Sequence, residues 1–385
     1  MDMPVEKTWN TDEFTNVASA LNWQAQRQPG VTAIYYPKSG ALKKSRYESC
    51  TYQELNELSE TYARGLLEYG IGPGTRTALL LTPGLDFFAM FFALFKAGAV
   101  PVLIDPGIGM KPLKQCLAEA APTAFIGVTK AHFARKILGW AKESCELMVS
   151  AGPTFGLGGI NLKKIRELGD LSSQEVLHPV KPDDMAAILF TSGSTGVPKG
   201  VVYRHRHFNA QVQMLREAFD IQPGEVSLPT FPPFALFDPA LGMTTVVPIM
   251  DPTRPAEADP EKLVEVINQF KVTNIFGSPA LLNTLSRYCV DNKIRLESVT
   301  RVISAGAAVP VRTIRRMQDS LYRDAEIHTP YGATECLPVS SISATELDDD
   351  MVDRIESGEG VCVGKPVQPN KVRVIKISDM AFNDI

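Results

Sequence analysis

The chain has 385 residues, 44% of them hydrophobic and 21% charged, enough apolar material for a large core divided among two or three compact units. Thirty-nine Lys and Arg stand against 43 Asp and Glu, a formal net charge of -4, and the absence of any basic stripe argues against nucleic acid as a partner. Six cysteines without a C-x-x-C spacing argue against both a disulfide framework and a cysteine-rich zinc site.

The chain opens on MDMPVEKTWNTDEF, polar and acidic where a secretory leader is basic and then apolar, so a cytoplasmic location is expected. Thr51 and Glu54 have the spacing of a capping box, and Leu55, Leu58, Tyr62, Leu66 and Tyr69 fall on one helical face that Gly70 ends. The most apolar stretch, ALLLTPGLDFFAMFFALFKAGAVPVLIDP (78 to 106), is broken by Pro83, Gly84, Asp86 and Lys96. It reads as a buried strand, a helix and a second strand, with no transmembrane span. Residues 150 to 184 are glycine-rich and polar and are expected to bridge two α/β units.

After the apolar run AAILF comes TSGSTGVPKG (191 to 200), which fails the Walker pattern because Lys199 is preceded by Pro198 and followed by Gly200. With VVYRH following as a strand, it reads as a glycine hairpin between strands. Its backbone N–H groups, the hydroxyls of Ser192, Ser194 and Thr195 and the charge of Lys199 suit a polyphosphate. A plain surface hairpin is the alternative. In YRHRHF, His205 and His207 are expected on one face of a strand, a spacing that can bind metal, but no third ligand is near.

Further on, Phe231, Phe234, Phe237 and Phe276 suggest an apolar pocket for an alkyl chain. Asp238 before Pro239 fits a helix N-cap. Asp259 before Pro260 fits the same role, ahead of a stripe of Leu263, Val266, Ile267 and Phe270 and the strand-like KVTNIFG. RVISAGAAVP repeats a strand and a turn, and His328 reads as a packing residue at a strand end. A break is expected within ELDDDMVDRIESGEG (346 to 360), and VRVIKISDMAFNDI is expected to hold a strand with little to cover it. The alternation predicts an α/β fold, with a parallel sheet between helices and ligands at the carboxyl ends of its strands. The expected units are residues 1 to 180, 181 to 345 with the nucleotide motifs, and an incomplete β subdomain at 346 to 385.

The ordered motifs TSGSTGVPKG (191 to 200), SAGAAVP (304 to 310) and YGATE (331 to 335) resemble the adenylate-forming superfamily of acyl-CoA synthetases, peptide-synthetase adenylation domains and luciferases. FFAMFFALFKAGAVPVLIDP and GVCVGKPV resemble it too, while PPFALFDPALG (232 to 242) and FGSPALL (276 to 282) are most similar to fatty-acyl ligase-like members and the β-lactone synthetases of olefin biosynthesis. The resemblance implies two packed, mostly parallel sheets and ATP and Mg²⁺ as cofactors. Thr191, Ser192, Gly193, Ser194, Thr195, Gly196 and Lys199 are then expected around the outer phosphates. Ala305, Gly306 and Ala307 are expected against adenine, with Tyr331 on its other side and Gly332 and Ala333 beside it. Thr334 would reach the α-phosphate and Glu335 would hold the metal. Phe231, Phe234, Phe237 and Gly277 would line the acid pocket.

The implied reaction is attack of a carboxylate on the α-phosphorus of ATP, after which CoA or an internal β-hydroxyl captures the acyl adenylate. Amino-acid-activating relatives hold the substrate amine with the aspartate of an F-D pair, which Phe237 and Asp238 match, so amino-acid adenylation stays open, as do a non-catalytic nucleotide or acyl-binding module, a luciferase-like oxygenase and a homodimer. The family's T-G-D segment, hinge and small C-terminal domain with its lysine are not found in residues 1 to 385, so the chain is expected to represent the large domain and to act slowly alone.

Overall fold

The structure, a computed structural model, describes residues 15–38, 47–191 and 198–376. Its strands are β1 (Thr32–Pro37), β2 (Tyr47–Thr51), β3 (Arg76–Leu80), β4 (Val100–Leu103), β5 (Ala124–Gly127), β6 (Leu147–Ser150), β7 (Ile160–Asn161) and β8 (Met185–Thr191). There follow β9 (Lys199–Arg204), β10 (Val226–Pro229), β11 (Thr244–Val246), β12 (Asn274–Gly277), β13 (Arg301–Ser304), β14 (Glu326–Ala333), β15 (Cys336–Ser343) and β16 (Lys365–Pro366).

They form two sheets. The seven-stranded one has the order β7-β6-β5-β3-β4-β8-β9, and the nine-stranded one β16-β15-β14-β13-β12-β10-β11-β1-β2. Interior pairs such as β3 with β4 and β12 with β13 are parallel, whereas β8 with β9, β1 with β2, and β14 with β15 are antiparallel. Two mostly parallel sheets clothed in helices were the expectation. The expected boundary near residue 180 falls between β7 and β8, inside the seven-stranded sheet, and β1 and β2 join the other sheet.

Local chemistry explains the helices. Thr51 accepts from the Glu54 amide while Glu54 returns a bond to the Thr51 amide, and the Tyr52–Tyr69 helix stops at Gly70 with φ 97°. Asp259 caps the Pro260–Phe270 helix by accepting from the Glu261 and Lys262 amides. Every side chain from Phe87 to Lys96 of the Leu85–Lys96 helix is buried, as an all-round apolar sequence between layers requires. Its phenyl rings meet edge to face, Phe91 on Phe95, and Phe95 in turn touches Phe208. At its end Lys96 Nζ is held by Asn56 Oδ1 at 2.8 Å and by Glu60 at 3.2 Å, and burial pulls its pKa down to about 8.

The segment expected as a bridge contributes β7 and the Leu162–Gly169 helix, which packs closely on the Tyr52–Tyr69 helix. A Cβ on Gly65 would lie 1.9 Å from the Ile165 carbonyl oxygen, and one on Gly169 would lie 1.9 Å from that of Thr61. Residues 371–376 form no strand, and the end of VRVIKISDMAFNDI lies outside the described residues. The expected strand there is therefore corrected: its described part is largely exposed, with Val374 bare.

Candidate active site

Two antiparallel hairpins build the site. In the first, Thr191 of β8 pairs with Lys199 of β9, so the TSGSTGVPKG segment joins strands rather than feeding a helix. Ser192, Gly193, Ser194, Thr195 and Gly196 lie outside the described residues. Lys199 is exposed at the start of β9. Tyr203 follows four residues on, and strand alternation puts both on one face of β9.

In the second hairpin, Ala333 of β14 pairs with Cys336 of β15, leaving Thr334 and Glu335 as the turn. Gly332 is required there, because a Cβ would meet Leu337 Cδ2 at 2.6 Å and the Cys336 carbonyl oxygen at 2.7 Å. The hairpins are tied together. Tyr203 Oη donates to the Thr334 carbonyl, and the Gln211 amide nitrogen donates to Tyr203 Oη and to the Leu337 carbonyl, each at 3.2 Å. Burial pushes the Tyr203 phenol up, so it stays a donor.

Tyr203, Gln211 and Thr334 line a cavity of about 530 Å³ between the sheets, whose polar lining also includes Asp105, Lys130, Asp251 and Thr253, a volume typical of small-molecule sites. One wall comes from the carboxyl ends of β3 and β4, including Leu81, Leu103 and Ile104, with Trp140 behind them. The other carries Phe231, Phe234 and Phe237, three of the four phenylalanines that the sequence marked, whereas Phe276 does not line it. Phe237 touches Phe234, whose ring stacks on Phe276.

On the nine-stranded sheet, the pairing of Ile303 with His328 draws Ala305, Gly306 and Ala307, just past β13, alongside the end of β14 that carries Tyr331. Gly306 adopts φ 95°, and Tyr331 is 56% exposed, an uncovered ring at the rim. Glu335 is exposed beside Thr334. Among the described residues no group of three or more His, Cys, Asp or Glu could hold a metal ion. A hard cation that takes most of its oxygens from phosphates and one from a carboxylate fits this arrangement.

Several expectations change. His205 and His207 do not share a strand face, because β9 ends at Arg204 and both open the His205–Ala218 helix. His205 is buried and accepts from the Val17 amide, with its pKa driven down to about 4 by burial, while His207 accepts from the Arg204 amide. Neither is placed as a metal pair. His328 lies within β14, its Nε2 2.8 Å from Glu326 and its ring against Phe219.

Asp238 is the first residue of the Asp238–Leu241 helix and makes no cap bond. Its buried carboxyl accepts from the Thr245 hydroxyl at 3.0 Å, and desolvation raises its pKa to about 7 against the hydrogen bonds of Ser227 and Thr245. Gly277 lies at the end of β12, where a Cβ would meet Leu281 at 3.0 Å, and is not part of the cavity wall. Reading the sequence missed Tyr203, Gln211 and the wall from β3 and β4. Only Tyr203 left a signal there, in its even spacing from Lys199.

With this geometry in hand, the relatives are informative. The chain is 50% identical over 369 residues to an olefin beta-lactone synthetase of Xanthomonas campestris, covering 95% of this chain and 65% of that protein. A Stenotrophomonas maltophilia protein of the same name is 49% identical over 372 residues, with 96% and 66% covered. The chain thus spans about two-thirds of the length of these relatives. Its fold matches the N-terminal domain of FACL13 from Mycobacterium tuberculosis at a TM-score of 0.72, with 20% identity and 92% and 83% of the chains covered. It also matches a long-chain-fatty-acid-CoA ligase from Archaeoglobus fulgidus at a TM-score of 0.74, with 20% identity and 91% and 69% covered. Residues 21–381 match the family described as AMP-binding enzyme, and the chain belongs to that family.

Proposed function

We propose that this chain carries the nucleotide and acyl sites of an AMP-forming ligase that activates a hydrophobic 3-hydroxy acid and closes it to a β-lactone. The observation that carries this reading is the largely apolar cavity that the Thr334 turn helps to line. An alkyl chain gains most of its binding free energy from such a wall, at about 0.8 kcal/mol for each buried CH₂. The carboxylate is thereby brought to the turn. One carboxylate oxygen bonds to the α-phosphorus as the bond to pyrophosphate breaks. The substrate's hydroxyl oxygen then bonds to the acyl carbon, releasing AMP and a proton.

No protein nucleophile is needed, and the chain's part is positioning and charge neutralisation. Lys199 and the hairpin it closes face the outer phosphates. Thr334 lies at the α-phosphate, and Tyr331 with Ala305, Gly306 and Ala307 brackets the adenine. Glu335 would hold Mg²⁺ together with phosphate oxygens, and the ion would offset phosphate charge. Lactone closure is favoured over transfer to CoA by the 50% identity to proteins named olefin beta-lactone synthetase. Amino-acid activation is disfavoured because Asp238 faces Thr245 rather than the cavity.

The test is pyrophosphate release with 3-hydroxy acids, the same acids lacking the hydroxyl, and amino acids, with products identified by mass spectrometry. A β-lactone from the hydroxy acids alone supports the reading. Turnover of amino acids only, or of none of the acids in a protein of the relatives' full length, refutes it.

A further inference from the structure

The Thr334–Glu335 turn is weakly held by its own ladder. The register shifts between Tyr331 and Ala333, so the tip is joined to the rest of β14 and β15 by the single pair Ala333 with Cys336. One carbonyl of the turn, and one just past it in β15, are instead satisfied from outside. Tyr203 Oη gives its proton to the Thr334 carbonyl, and the Gln211 amide nitrogen bridges Tyr203 Oη and the Leu337 carbonyl. The orientation of the Gln211 amide follows from this chemistry. A phenol that has given away its proton and a carbonyl are both acceptors, so the nitrogen must face them. Tyr203 is 4% and Gln211 8% exposed, so water does not compete freely for these bonds.

Tyr203 also belongs to the strand that begins at Lys199, and both side chains lie on one face of it. A continuous path of strand and hydrogen bonds thus runs from the outer-phosphate lysine to the turn at the α-phosphate.

We infer that Tyr203 and Gln211 are positioning residues, a two-residue latch that fixes the Thr334–Glu335 turn against β9. The inference rests on the proposed acyl-adenylate chemistry. The latch sets the distance between the groups addressing the leaving pyrophosphate and those addressing the phosphorus under attack. Its hydrogen-bond donors are taken up by the turn, by β15 and by each other, although both side chains also line the cavity.

The experiment uses the 385-residue chain and two probes in calorimetry, an N-acylsulfamoyl adenosine that mimics the acyl adenylate and inorganic pyrophosphate. In Tyr203→Phe and in Gln211→Met the mimic is expected to bind about 10-fold more weakly, as loss of one buried hydrogen bond allows. Pyrophosphate binding should stay within about 2-fold, because Lys199 and its hairpin are untouched. The double variant should lose no more than the weaker single, since both bonds hold one turn.

A fall of both probes in parallel would mean a general loss of structure and would overturn the latch. So would unchanged affinity for the mimic, or a loss in Tyr203→Phe alone, which marks a direct contact. If wild type binds the mimic no better than AMP, the acyl-adenylate reading itself fails and the latch with it.

Discussion

Phe234 lies flat on Phe276, with ring centroids 3.7 Å apart and planes 7° from parallel. Phe276 is the third residue of β12, so a sheet strand holds the ring on which Phe234, a cavity-wall residue, is stacked. The aromatic wall is therefore rigid where a loop residue would be mobile. Phe234→Ala should lower stability by about 1 to 2 kcal/mol, the stacking increment plus partial burial. It should also shift the preferred acid toward bulkier chains. Thermal unfolding and pyrophosphate release across a series of chain lengths check the two effects separately.

Lys199 closes the hairpin with Thr191 and is the residue proposed to address the outer phosphates. Lys199→Ala should weaken ATP and pyrophosphate by about 10-fold or more, as removal of a charged partner does, and leave AMP nearly unchanged. Calorimetry with the three ligands measures this, and equal losses for all three would place the lysine elsewhere.

The pH dependence of stability follows from Asp238, whose carboxyl is pushed up to about 7 in the fold from an ordinary value of 3.8. Between these values the folded chain keeps a proton that the unfolded chain has released. Its stability therefore falls as pH rises through that window, and the cost is complete above about pH 7. Asp238→Asn keeps an oxygen for the Thr245 hydroxyl and removes the titration. The variant should match wild type near pH 4 and be more stable by about 2 to 4 kcal/mol at pH 8. Melting of both proteins across the pH range decides it.

Gly169→Ala should destabilise the chain by about 3 kcal/mol or more, because its Cβ would lie 1.9 Å from the Thr61 carbonyl oxygen. Backbone cannot yield there without separating the two helices. Denaturant unfolding of the variant against wild type tests it, with Gly30→Ala, where a Cβ would meet nothing within 4 Å, as a comparison for glycine replacement in open space.

Features that depend on neighbours in sequence were legible, and those that depend on distant partners were not. Two Asp-Pro dipeptides show the difference. Asp259 sits at an exposed helix start and caps it, as the local pattern predicts. Asp238 has the same local pattern, but its burial beside β11 gives the carboxyl a better partner in Thr245, and the cap is not made. His207 likewise is consumed by the Arg204 amide at a helix start, which a reading of YRHRHF as one strand does not foresee. The aromatic residues Phe231, Phe234 and Phe237 could be picked out because they cluster in sequence. Leu81, Leu103 and Trp140 could not, since only the packing of one sheet against the other brings them to the same cavity.

The strand β1 sits one place in from the edge of the nine-stranded sheet, between β2 and β11, and the Thr244 hydroxyl reaches the Thr32 carbonyl across 212 residues of chain. On a ribosome, β1 leaves the exit tunnel long before its partner is made. The whole seven-stranded sheet, from β3 to β9, is synthesised in that interval and can close first. The apolar face of β1, with Ala33 and Ile34 fully buried in the finished protein, must wait uncovered or be shielded by another molecule. Closure across so long a loop is slow. Chaperone demand during synthesis should thus track the pause between residues 37 and 244, and a rearranged chain in which β1 and β2 are transposed to just before β10 should shorten it.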